Sequence, residues 1–168
     1  PKASQEWLDW LDHSPLTTPG RTAWAQLTGQ IEHRPPSAVE VDLIEAALSK
    51  WPDNLRIAPH GWLAAASRRR TVPTHWALAR TISYSRFGSQ STMTPARIKW
   101  IFTSPHNAHI TGLSLQGITH TRPGQAIIDH LPGSTALQNL ERFSVDTCWL
   151  PRELIDALSA ATHLSRLR

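Results

Sequence analysis

Two nine-residue segments of this chain can be laid one under the other. In "ITGLSLQGI", residues 110–118, and "LERFSVDTC", residues 140–148, Ile110 falls over Leu140, Leu113 over Phe143, Leu115 over Val145 and Ile118 over Cys148. The offset is 30 residues. The middle apolar pair of each segment is spaced by two, the period of a strand with one face in a core. A third copy begins at Leu164, with Leu167 three later, at an offset of 24 from Leu140. The intervening segments carry helical stripes: Ile127, Ile128 and Leu131 in "GQAIIDHLPG", and Leu154, Ile155 and Leu158 in "PRELIDALSAATHL". A strand followed by a returning helix cannot bury its apolar side alone. Such units have to stack on one another.

The first hundred residues read as about six short helices. Trp7, Leu8 and Leu11 fit a short helix that "HSPLTTPG" ends. Thr18-Pro19 is a helix start, since Thr caps and Pro suits the first helical position. Trp24, Leu27 and Ile31 then share a face. Ser37 and Glu40 have the spacing of a capping box, followed by the stripe Val41, Ile44, Leu48 and Trp51. Pro59 precedes Trp62 and Leu63, Pro73 precedes Trp76, Leu78 and Ile82, and Thr94-Pro95 precedes Ile98, Ile101 and Phe102. No β-alternation of any length stands out before residue 105. Eight tryptophans against one tyrosine and three phenylalanines assign most of the tryptophans to the core.

Residues 105–168 resemble leucine-rich-repeat proteins, of the long-repeat, helix-containing type seen in ribonuclease inhibitors and in many bacterial proteins. The carrier is the pattern L-x-x-L-x-L-x-x-N/C, matched by "LERFSVDTC" and, with Ile118 in the last place, by "ITGLSLQGI". In that reading Cys148, the lone cysteine, fills the small pocket that closes the strand's turn, a structural role rather than a reactive one. The fold implied is a mostly α N-terminal helical domain over residues 1–104, serving as a cap, followed by an α/β leucine-rich-repeat solenoid segment over residues 105–168. That segment holds two full repeats and a third begun. Because Arg168 falls inside the third strand, the chain reads either as cut from a longer repeat protein, the reading favoured, or as ending in an open edge strand. An open edge invites self-association through the C-terminal repeat.

The resemblance implies protein binding by a scaffold rather than catalysis. Period-2 alternation sends the residues between the leucines to a concave face: Gly112, Arg142 and Arg166, then Ser114, Ser144 and Arg168, then Gln116 and Asp146. This mixed patch suits a protein or peptide partner.

Charge supplies the rival reading. Residues 1–53 carry eight acids and four bases, whereas residues 54–128 carry nine bases and no acid. Such a zone attracts anions, and Arg68, Arg69, Arg70, Arg80, Arg86, Arg97 and Lys99 are candidate nucleic-acid contacts within residues 56–100. Trp76, Arg80, Tyr84, Arg86 and Phe87 interleave bases with aromatics, as single-strand binders do. The same arginines could instead pair with the acidic first third.

Enzyme signatures are lacking. The sequence has no phosphate loop, no dinucleotide fingerprint and no nucleophile elbow. His106 and His109 are spaced like a metal pair but have no nearby Cys, Asp or Glu, so no metal or cofactor is expected. No run reaches the roughly 18 apolar residues of a membrane span. With a single cysteine and no apolar leader, a cytoplasmic protein is the expectation.

Overall fold

The computed structural model describes residues 5, 7, 9, 10, 19–68, 71–85, 93–117, 121–146 and 152–167. The described part holds six α-helices and three strands. Helices α1 (Arg21–His33), α2 (Ala38–Ala47) and α3 (His60–Arg68) come first. Strands and helices then alternate: β1 (Thr81–Ser85), α4 (Pro95–Thr103), β2 (Gly112–Gln116), α5 (Arg122–His130), β3 (Arg142–Asp146) and α6 (Arg152–Ala160). Short 3₁₀ turns at Asp53–Leu55, Thr74–Leu78 and Pro105–Asn107 join them.

The helix starts follow local chemistry. Ser37 and Glu40 form a reciprocal capping box on α2. The Ser37 backbone N–H donates to Glu40 and, with the Ser37 side chain and nearby Arg34, holds the Glu40 carboxyl below the usual range against the opposing effect of burial. Thr94 caps α4 at the Arg97 N–H, and Thr121 caps α5 at the Gly124 N–H, each with Pro in the first turn. Thr18, the expected cap of α1, lies outside the described residues, and Gly20 occupies the cap position without a side-chain bond.

All three strands are parallel, in the order β1-β2-β3. The 30-residue alignment of the sequence appears as strand register: Gly112 pairs with Arg142, Leu113 with Phe143 and Leu115 with Val145. β1 joins the other side of β2, with Ile82 beside Leu113 and Tyr84 beside Leu115. Each strand starts the same way. The Arg56 carbonyl accepts from the N–H groups of Arg80 and Thr81, that of Arg80 from Thr111 and Gly112, and that of Thr111 from Glu141 and Arg142. Ile57 adds a single parallel bridge to Thr81. Gly117 ends β2 at a φ of 73°, a left-handed turn that favours glycine.

This architecture corrects the expected one. The strands form one three-stranded sheet, and no leucine-rich-repeat solenoid is present among the described residues. β1 comes from residues assigned to an all-helical region. The sequence predicts a helix after Pro73 carrying Trp76, Leu78 and Ile82, but "TISYS" alternates, with Ile82 and Tyr84 buried and Thr81, Ser83 and Ser85 half-buried. Leu164–Leu167 is a single turn, closed by the Leu167 N–H on the Leu164 carbonyl, rather than a third repeat strand, and Arg168 lies outside the described residues, as do Ile118 and Cys148. A solenoid needs enough stacked units to propagate. Here the strand–helix units are few, and the N-terminal helices close into the same core. That core runs as one cluster from Trp7 through Leu27, Ile44, Trp62, Trp76, Ile82 and Ile101 to Leu115, Leu140 and Leu164.

Five of the tryptophans, at 7, 24, 51, 62 and 76, are buried. Trp24 and Trp76 reach polar partners through their indole N–H groups. Trp24 donates to the Ile57 carbonyl at 2.7 Å, and Trp76 donates to Asn107 Oδ1 at 3.0 Å. Asn107, fully buried, also donates from Nδ2 to the carbonyls of Trp100 at 3.1 Å and Ile101 at 3.0 Å. It ties the end of α4 to the entry of β2.

Candidate functional site

The sheet has two unlike faces. Ile82, Tyr84, Leu113, Leu115, Phe143 and Val145 point to the helices and join the core or pack against it. The other face is set by register into three rows: Thr81, Gly112 and Arg142; Ser83, Ser114 and Ser144; Ser85, Gln116 and Asp146. Arg142 and Ser144 are exposed, and Ser83, Ser85, Ser114 and Gln116 are half-buried. Gly112 is buried at the crowded end of the sheet. A Cβ there would stand 2.7 Å from Thr81 Oγ1, so β2 approaches β1 closely because this residue has no side chain.

Five of the expected concave-face residues, Gly112, Ser114, Gln116, Arg142 and Ser144, thus lie on one face, and Asp146 takes the register position beside Gln116. Arg166 does not join a row, because it sits in an exposed turn, and Arg168 is outside the described residues. The sequence reading missed Thr81, Ser83 and Ser85, which complete all three rows. Their signal was the alternation of "TISYS", obscured by the tryptophan and leucine just before it.

The basic zone is divided by its surroundings. Arg56 is buried and donates from Nε to the Leu78 carbonyl at 2.9 Å. Its Nη1 donates to Glu45 Oε1 at 3.1 Å, and its Nη2 bonds Glu45 Oε2. Arg80 shares the same carboxylate through Nη2 at 2.6 Å and donates from Nη1 to the carbonyls of Ala77 and Ala79. Burial, then Arg56, lowers the Arg80 pKa, while Glu45 and Asp53 oppose the shift. Glu45 belongs to the acidic first third, so these two arginines pair within the fold. Arg97 is buried at the start of α4, its pKa lowered by burial and by nearby Arg68. Arg68 and Lys99 are exposed, while Arg69, Arg70, Arg86 and Phe87 lie outside the described residues. Among the described members, only Arg68 and Lys99 stand at the surface.

His106 and His109 line a cleft of about 360 Å³ with Pro73, Trp76, Ala77 and Pro105. His109 makes a 3.1 Å hydrogen bond with the Trp76 carbonyl. Burial first, then Arg80, pushes its pKa down to about 4, so the ring is neutral near pH 7 and donates one N–H there. Among the described residues no group of three or more metal-ligating side chains occurs, at these histidines or elsewhere. No helix among those residues is long and apolar enough to cross a membrane. Compared with protein-family models, with curated proteins and with solved structures, the chain matches none.

Proposed function

We propose that the chain is a non-catalytic protein-interaction module whose recognition surface is the outward face of the three-stranded sheet. One observation carries this reading. The polar residues of three strands fall into register on one face, while their apolar neighbours hold the sheet to the core. Five of those positions carry hydroxyls: Thr81, Ser83, Ser85, Ser114 and Ser144. Small hydroxyl side chains lose little rotamer freedom on ordering and both donate and accept hydrogen bonds. A partner's backbone or polar side chains can therefore be read across the rows.

A photo-cross-linking residue placed at Ser114, in the centre of the face, tests the proposal. The control places it at Gln125, exposed on α5. A defined protein captured only from position 114, and bound at least tenfold more weakly by Ser114→Arg and by Ser83→Arg, is the expected result. Equal capture from both positions, or full affinity in both variants, would overturn it. Labelled oligonucleotides at two salt concentrations provide the counter-test. Micromolar binding that falls steeply with salt would move the function to the basic zone.

A further inference from the structure

Among the described residues β3 is the edge of the sheet, and its side away from β2 has a definite hydrogen-bonding pattern. The Arg142 N–H points to β2, where it bonds the Thr111 carbonyl. Backbone groups alternate sides along a strand, so those of Ser144 and Asp146 also face β2, and those of Phe143 and Val145 face outward. Phe143 and Val145 are only partly buried. Leu164–Leu167 turns beside the start of β3, but among the described residues no backbone hydrogen bond joins the two. An open cleft of about 340 Å³ lies there, lined by Glu141, Ser165, Arg166 and Leu167. The opposite edge is different, since β1 is met at Thr81 by Ile57.

The sequence of this edge, "RFSVD", is complementary to itself when reversed. A two-fold axis through Ser144 sets Arg142 across from Asp146 of a second copy, Phe143 across from Val145, and Ser144 across from Ser144. Polar residues then meet polar ones on the outward face, and apolar residues meet apolar ones on the core face. The outward-facing groups of Phe143 and Val145 make the ladder bonds in this register. Antiparallel registers centred one residue away, on Phe143 or Val145, keep compatible bonds but set Arg142 across from Ser144, or Asp146 across from Ser144, leaving the charges unmatched. A register shifted by half that step sets bonding groups against non-bonding ones. A head-to-tail stack of β3 on another copy's β1 would have to displace Ile57.

We infer that the protein forms a symmetric dimer by antiparallel pairing of β3 with β3 of a second copy, joining two sheets into one of six strands. The contact is isologous and closed, so it consumes the aggregation-prone edge without building a fibre. It uses the edge of the sheet rather than the outward face, and its test involves no other protein, so it stands or falls apart from the interaction reading above.

The test is sedimentation equilibrium of the full chain from about 1 µM to several hundred µM, a range that covers weak association. The expected result is a concentration-dependent shift from 18.8 kDa to twice that mass. Arg142→Asp and Asp146→Arg should each weaken dimerisation roughly tenfold or more, because each sets like charges across the axis twice. The double variant, which exchanges the charges, should restore wild-type association. Val145→Pro, which removes an outward N–H that has no backbone partner among the described residues, should abolish it while circular dichroism stays native. A monomer at every concentration overturns the inference. So does a dimer indifferent to both charge reversals, or one that the double variant fails to rescue.

Discussion

Glu45→Ala tests whether the basic zone serves the fold or a ligand. Glu45 holds two arginines of unlike exposure. The Arg56 side chain is 3% exposed and the Arg80 side chain 18%, while the shared carboxylate is 36% exposed. Breaking a fully buried pair costs about 3–5 kcal/mol, because the surviving charge is left without compensation, whereas exposed pairs are worth about 0–1 kcal/mol. After the substitution Arg56 keeps only its bond to the Leu78 carbonyl, and Arg80 keeps its bonds to Ala77 and Ala79. The partly exposed carboxylate places the expected cost between the two limits, at about 2–3 kcal/mol. In a chain of this size that lowers Tm by roughly 4–12 °C. Urea unfolding followed by tryptophan fluorescence measures it directly. Glu45→Gln, which keeps the volume and one acceptor but removes the charge, should lose a similar amount. A loss below about 0.5 kcal/mol in both variants would refute the argument that Glu45 compensates a buried cation. Anion binding offers a second readout: if pairing is what occupies these arginines, Glu45→Ala should bind polyanions more tightly than the wild type does.

Two further outcomes follow from the core. His109 is held neutral to about pH 4, whereas an unfolded histidine titrates near 6.5. As pH falls from about 6.5 towards 4 the unfolded chain takes up a proton that the native ring refuses. Stability therefore drops over that window and levels off below it, by up to roughly 3 kcal/mol from this residue. The difference in urea midpoint between the wild type and His109→Leu at pH 7, 5.5 and 4.5 isolates the contribution, and parallel pH dependences would contradict it. Asn107→Ala removes three side-chain hydrogen bonds and leaves the Trp76 Nε1 donor buried without its acceptor. The expected loss is about 3–5 kcal/mol by denaturant unfolding, and a loss under about 1 kcal/mol would be incompatible with the network.

Much of the local structure was legible because it rests on short-range rules. The capping box at Ser37 and Glu40 and the Thr94-Pro95 start depend only on atoms within one helical turn. The alignment of residues 110–118 with 140–148 was legible because strand register carries a period-2 pattern into space, and Leu113 does lie beside Phe143. Alternation likewise placed Gly112, Ser114, Gln116, Arg142 and Ser144 on one face. On α6 the same kind of reading went only partway: Leu154 is buried and Leu158 partly so, but Ile155 is 49% exposed.

Tertiary structure decided the rest. Residue order alone shows which segments are amphipathic, where helices start, and that the middle of the chain carries cations without acids beside them. It did not determine that "TISYS" is a strand, because five residues of weak alternation become one only when β2 offers a ladder for them. It did not determine how many units stack, so a solenoid was expected where a single three-stranded sheet forms. Nor did it determine which cations stay free. Glu45 reaches Arg80 across 35 residues of sequence and Arg56 across 11, and only the packing of α2 beside the entry to β1 brings that carboxylate to both. Partner choice at long range depends on the fold as a whole, because the cost of closing such a loop is recovered only by the many contacts that form with it.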